Sequence, residues 1–180
     1  MAGSALPTVN RSGPYFRVCK PEWIDCGDMS FSKTVGGRWN PRGEFGALYL
    51  NATVRVAAAQ ARHQHEGRAI ALFDLRPERR PILASFDVPA VIVVDVVSAD
   101  AIRSLDLPSA YPVGVTWAPC QQIARTAYSS DIAGVAARSA AEARPNDVVG
   151  EELAYFDSQP ALNELERTAF ADWYPDPYPA

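Results

Sequence analysis

A chain of 180 residues with 48% hydrophobic and 21% charged side chains is sized for one globular domain that buries its own core. A net charge of -4 and an isoelectric point near 5.2 argue against general affinity for nucleic acid or anionic membranes, although a local basic pocket can sit within an acidic surface. Three cysteines with no CxxC pair exclude a disulfide framework, and two histidines, His63 and His65, with no cysteine cluster nearby give no metal site.

Residues 1–13 are rich in small and polar side chains and read as a flexible tail; they show no secretion signal. The longest apolar run, Val88 to Val97, is broken by Pro89 and Asp95 and is too short to span a bilayer. Reduced thiols at Cys19, Cys26 and Cys120 then suit a cytoplasmic protein. Pro14 to Val18 reads as a short strand that puts Tyr15, Arg17 and Cys19 on one face. Arg17 is either an edge residue reaching water or a buried cation awaiting an anion.

Residues 20–35 carry little periodicity and read as a loop. The block Gly36-Gly37-Arg38-Trp39-Asn40-Pro41-Arg42-Gly43 follows, then a strand, Ala47 to Leu50. Glycines let a backbone approach a ligand closely, while Arg38, Asn40 and Arg42 offer charge and hydrogen bonds. The block suits a phosphate-bearing, flat-ringed molecule, or else is a hairpin with solvated arginines. Asn51 or Thr53 caps a helix running to about Glu66, with Gly67 as terminator. Its apolar stripe is Val54, Ala57, Ala58, Ala61 and His65, and Gln60 lies beyond one border, where it can reach a cleft. His65 reads as a packing residue.

Three strands are expected next: Ala69 to Leu75, Ile82 to Phe86 and Ala90 to Val97. Ser98 caps a helix from Ala99 to Leu105, and Pro119 suits the first turn of another, running to Ser129 with Ile123, Ala124 and Ala127 toward the core. The small-residue strand Ile132 to Ala140 ends in Arg138-Ser139, where Ser139 is either an active-site hydroxyl or a turn cap. After a loop, 141–150, come a strand from Glu152 to Asp157 and a helix carrying Leu162, Leu165, Ala169 and Trp173 at helical spacing. Residues 174–180 form a proline-rich tail. The pattern lacks strict βαβ alternation and reads as α+β: one domain over 14–173, with a mixed, mostly antiparallel sheet flanked by short helices.

No nucleophile elbow, Walker loop, HExxH or dinucleotide fingerprint appears. The order of Arg17, GGRWNPRG, Ala47-Leu48-Tyr49-Leu50, a helix, Trp117…Gln121-Gln122-Ile123-Ala124 and Gly134…Arg138-Ser139 instead resembles the RES-domain family across residues 14–157. That family is named for its arginine, glutamate and serine. Its members are toxins paired with Xre-type antitoxins, and the fold is ADP-ribosyltransferase-like. The resemblance implies cleavage of the nicotinamide–ribose bond of NAD+ as substrate, with inorganic phosphate or water as acceptor and no cofactor or metal. It places Arg38, Tyr49, Ser139 and the residue at position 60 at the reacting bond. Arg17, Gly37, Trp39, Asn40 and Arg138 join Arg38, Tyr49 and Ser139 as NAD+ contacts. Guanidinium forks match pyrophosphate oxygens, and an aromatic face suits nicotinamide.

One position departs from the pattern. The family's glutamate lies on the helix after the tyrosine, and that spacing lands on Gln60, which keeps the shape but not the charge. Losing one preorganised electrostatic contact typically slows a reaction by about 10²–10³-fold. Position 60 is then a natural variation with weaker chemistry, an inactivating exchange, or a site whose carboxylate comes from elsewhere. Glu44 is the freer candidate, because Glu66 lies about 120° around the helix from position 60. Two other classes stay open: nucleotide binding without turnover, and ADP-ribose transfer to a macromolecule.

Overall fold

The computed structural model describes residues 5–142 and 150–175, so the expected tails lie partly, and the loop 141–150 mostly, outside the described residues. β1 (Thr8–Cys19) starts at Thr8 rather than Pro14, so residues 8–13 of the foreseen tail are strand, paired antiparallel with β3 (Ile82–Val96). β3 is itself one strand where two were expected. The register slips between Arg11 and Gly13, opposite Val91 and Val88, which puts Pro89 in a bulge where no ladder N–H is needed.

β2 (Ala47–Asn51), β4 (Gly134–Arg138) and β5 (Glu151–Phe156) complete the expected centre. Pairings run β1–β2, β2–β5, β5–β4, β4–β3 and back from β3 to β1, so the strands close into a ring in which only β3–β4 is parallel. The mixed, mostly antiparallel α+β architecture is as expected.

Two expected elements are absent. Residues 69–75 form no strand; they hold a 3-10 turn, Leu72–Asp74. Arg80 takes the Phe73 and Leu75 carbonyls at 2.6 and 2.9 Å, so those groups serve a local clasp rather than a ladder. The C-terminal helix is replaced by β6 (Glu164–Thr168), an edge strand on β3, and one helical turn, α5 (Phe170–Trp173). Leu165 faces solvent there, and the charged neighbours Glu164, Glu166 and Arg167 suit an edge strand.

The ring interior gathers side chains from all five strands, including Tyr15, Leu48, Leu50, Phe86, Leu153 and Tyr155. The outer face of β2, β4 and β5 is covered by α3 (Ala99–Ser104), α4 (Trp117–Ser129) and the loop ahead of β2. The helix α2 (Val54–His65) is capped by Thr53, whose hydroxyl accepts from Val56 N–H, and packs Ala57, Ala58 and Ala61 against Leu83, Phe170 and Trp173. No described helix is long and apolar enough to cross a membrane.

Candidate active site

Short-range geometry builds the loop ahead of β2. Gly36, at φ +78°, ends α1 (Ser30–Val35) in a conformation that favours glycine. Gly37 donates its N–H to Asn40 O at 2.8 Å, closing a tight turn, and a Cβ on Gly37 would collide with the Tyr49 hydroxyl. That hydroxyl accepts from Trp39 N–H at 2.9 Å and donates to Asn40 Oδ1 at 2.7 Å. Asn40, fully buried, donates Nδ2 to Ser32 O and Phe45 O at 2.7 and 3.2 Å. From α4, Gln121 Nε2 adds a 2.8 Å bond to Gly37 O.

The loop therefore sorts its residues inward and outward. Asn40 is wholly engaged inside the protein, and Trp39 is buried in the core 6.4 Å from the Tyr111 ring. Arg38 behaves differently. Its Nη1 is buried and makes no well-formed hydrogen bond among the described residues, although the Tyr111 hydroxyl, itself without another partner, lies close to the guanidinium. Its positive charge acts on Glu152, Tyr49, Tyr111 and Cys120.

Next to this loop opens a cleft of about 330 Å³ lined by Arg17, Tyr49, Asn51, Gln60 and Glu152, with Trp23, Phe31 and Val35 also at its walls. Gly37, Arg38 and Ser139 do not line it, and Arg38 reaches it through its charge on the lining residues Tyr49 and Glu152. That volume sits at the small end of ligand pockets, about 300–1,000 Å³. Arg17 lies over the Trp23 ring, 5.4 Å from its centroid, and donates Nη1 to the Cys26 and Asp28 carbonyls at 2.5 and 3.3 Å. Among the described residues it has no carboxylate within 4.0 Å, so carbonyl dipoles hold its charge in the wall without neutralising it. Burial pulls the Arg17 guanidinium below its usual range. Burial pushes the Tyr49 hydroxyl up, so it stays neutral and serves as an anchor while its ring faces the cleft.

The chain matches the RES domain over residues 14–175. It belongs to the RES-domain family. Its fold is similar to that in the crystal structure of the M. tuberculosis MbcT–MbcA toxin–antitoxin complex, with a TM-score of 0.72 and 21% identity over 90% of this chain and 86% of that one. No curated protein matches it in sequence.

In this RES domain Ser139 is fully buried at the end of β4 and donates Oγ to Glu152 Oε1 at 2.5 Å. Arg138 donates Nε to Val97 O at 2.8 Å and does not line the cleft. Of the carboxylates considered from sequence, Glu44 is exposed and forks with Arg125, and Glu66 is exposed beside His63. Neither lines the cleft.

Glu152 is the residue sequence reasoning missed. It alternates with Ala154 and Phe156, which both face the core, so its signal was a carboxylate on the buried side of a strand. Burial raises its carboxyl above the ordinary range, while the Ser139 hydrogen bond and the Arg38 and His63 charges act the other way. Below the unfolded-state value of about 4.3 the group is protonated in both states and carries no penalty. As pH rises through the higher folded value, stability is lost. Glu152→Gln removes that loss. The variant is expected to melt with the parent at pH 4 and above it at pH 7.5, by about 2–4 °C for each kcal/mol recovered. Equal melting temperatures at both pH values would show that the carboxyl is in effect solvated.

Proposed function

We propose that this RES domain degrades NAD+ at the nicotinamide–ribose bond, as the toxin of a toxin–antitoxin pair. The observation that carries the reading is the buried Arg38 Nη1, without a well-formed hydrogen bond, beside a cleft walled by the Tyr49 ring and the Glu152 carboxylate. Buried polar groups are nearly always partnered, so an orphaned guanidinium nitrogen at a cleft suits an anionic ligand. Arg38 and Arg17 take the pyrophosphate, the Tyr49 ring packs on nicotinamide, and Gln60 aligns the ribose hydroxyls. Trp39, Asn40 and Gly37 hold the loop from behind, and Ser139 acts through Glu152.

The C1′–N bond breaks with its electron pair passing to the nicotinamide nitrogen, so the leaving group departs neutral. An oxocarbenium-like ribose remains, which an oxygen of water or phosphate attacks, giving ADP-ribose and a proton or the 1-phosphate ester. The reading places the protein in the cytoplasm, where NAD+ occurs and thiols such as Cys19, Cys26 and Cys120 stay reduced. An antitoxin of the Xre type is the partner the family suggests, and the similar solved structure is that of a toxin–antitoxin complex.

The purified chain with NAD+ is expected to release nicotinamide, faster when phosphate is added, as followed by chromatography. No release from either this chain or its Gln60→Glu variant would overturn the enzymatic reading. The neutral side chain at position 60 favours a second reading, NAD+ binding without turnover. Saturable calorimetric binding with no product would select it.

A further inference from the structure

We propose that Glu152, on β5, supplies the negative charge at the reacting ribose that the helix position Gln60 lacks. This rests on the NAD+ reading above and concerns the same cleft. Gln60 and Glu152 line that cleft from different elements, one from α2 and one from the sheet, and Glu152 is the carboxylate among its described lining residues.

The sheet fixes where that carboxylate stands. Glu152 pairs with Asn51 on β2 and with Ala137 on β4, in the closed part of the ring. Tyr49 pairs with Ala154, so Tyr49 and Glu152 are diagonal neighbours on one face, about 7–8 Å apart for such pairs. A ring stacked on Tyr49 therefore brings its attached ribose toward Glu152. The carboxylate is also aimed. Oε1 accepts from Ser139 Oγ at 2.5 Å, which fixes the carboxylate's orientation at the cleft wall. Ser139 is itself held by its N–H on Gly150 O at 2.7 Å, so it is a positioning residue for the carboxylate.

Charge on a half-buried carboxylate needs compensation, and the surroundings supply it without neutralising it. Arg38 from the loop is the positive group that acts on Glu152, His63 on α2 is a titratable group farther off and paired with Glu66, and the neutral hydroxyls of Tyr49 and Tyr111 are its other titratable neighbours. No ion pair within 4.0 Å ties Glu152 among the described residues, which leaves its charge for a bound cation such as an oxocarbenium. The two cleft positions then divide the family glutamate's work. Gln60 hydrogen-bonds the ribose hydroxyls, and Glu152 bears the charge.

The test uses the full chain and four variants, Glu152→Gln, Gln60→Glu, the double exchange, and Glu44→Gln as a control. Nicotinamide release is measured from pH 5 to 9 and NAD+ affinity by calorimetry. Glu152→Gln is expected to lower release about 10²–10³-fold, to change affinity by less than about 5-fold, and to abolish the acid limb of the rate–pH profile. The double exchange returns charge to the helix and is expected to recover at least 10-fold of the lost rate. Glu44→Gln keeps the parent rate. Release by Glu152→Gln within about 3-fold of the parent overturns the assignment. So does an inert parent whose Gln60→Glu variant is active, because the charge would then be missing from the native site. A parent and Gln60→Glu variant that are both inert overturn the NAD+ reading itself.

Discussion

Alanine at position 38 is expected to weaken NAD+ binding by about 10²-fold while shifting the melting temperature only slightly. Charge-assisted hydrogen bonds contribute about 1.5–3 kcal/mol each, and a guanidinium facing a pyrophosphate makes two in parallel. Stability changes little because two effects oppose. Removing Arg38 relieves a buried nitrogen that makes no well-formed hydrogen bond, yet it also strips Glu152 of a positive neighbour. The second effect has its own signature. Arg38 lowers the Glu152 pKa, so its loss lifts an already raised value and moves the acid limb of the rate profile to higher pH. Arg38→Lys keeps the charge but not the planar fork, and is expected to recover only part of the affinity. Calorimetry with NAD+ and with ADP-ribose, which lacks the nicotinamide, measures this directly. Unchanged affinity for both in Arg38→Ala would show that the orphaned nitrogen is not the anion contact.

How far the site was legible depended on how local its determinants are. Gly36, Gly37 and Tyr49 lie within fourteen residues, and the turn they form follows from glycine's conformations and one hydroxyl, so the sequence order already marked the loop. Gln60 followed equally well, because the period of α2 fixes its angle once Thr53 starts the helix. Trp39 and Asn40 were harder. Adjacent loop residues have no periodicity to say which points inward, and both turned into the core. Pro89 misled because its missing N–H is accommodated by a bulge set by β1, more than seventy residues away in sequence. The spacing of Leu162, Leu165, Ala169 and Trp173 fits a helix, but pairing with β3 prevailed and left Leu165 in solvent. Glu152 was visible only as an oddity of alternation. Its meaning needed β2, β4 and the Arg38 loop brought together by long-range pairing.

Asn40→Ala is expected to cost about 3–5 kcal/mol, a large share of the 5–15 kcal/mol that holds a typical domain folded. The amide satisfies Ser32 O, Phe45 O and the Tyr49 hydroxyl at once, in a place with no access to water. Ser32 O keeps a second donor in Gly36 N–H, so the loss falls on Phe45 O and on Tyr49, each buried group left unpaired costing about 1–3 kcal/mol. Asn40→Asp separates this from simple loss of volume. Aspartate still accepts from Tyr49, but it turns a charged oxygen toward two carbonyls, so at pH 7 it is expected to be at least as damaging as alanine. Those carbonyls and the burial disfavour the charged form, raising the folded-state pKa of the new carboxyl, so the aspartate variant should regain stability as pH falls below that value and alanine should not. Urea unfolding of the parent and both variants at pH 5 and 7 reads the difference, with slopes unchanged if the native state stays compact. A parent-like midpoint for Asn40→Ala would mean that the loop is held by its backbone turn and Gln121 alone, and that Tyr49 does not need its acceptor to keep its ring at the cleft.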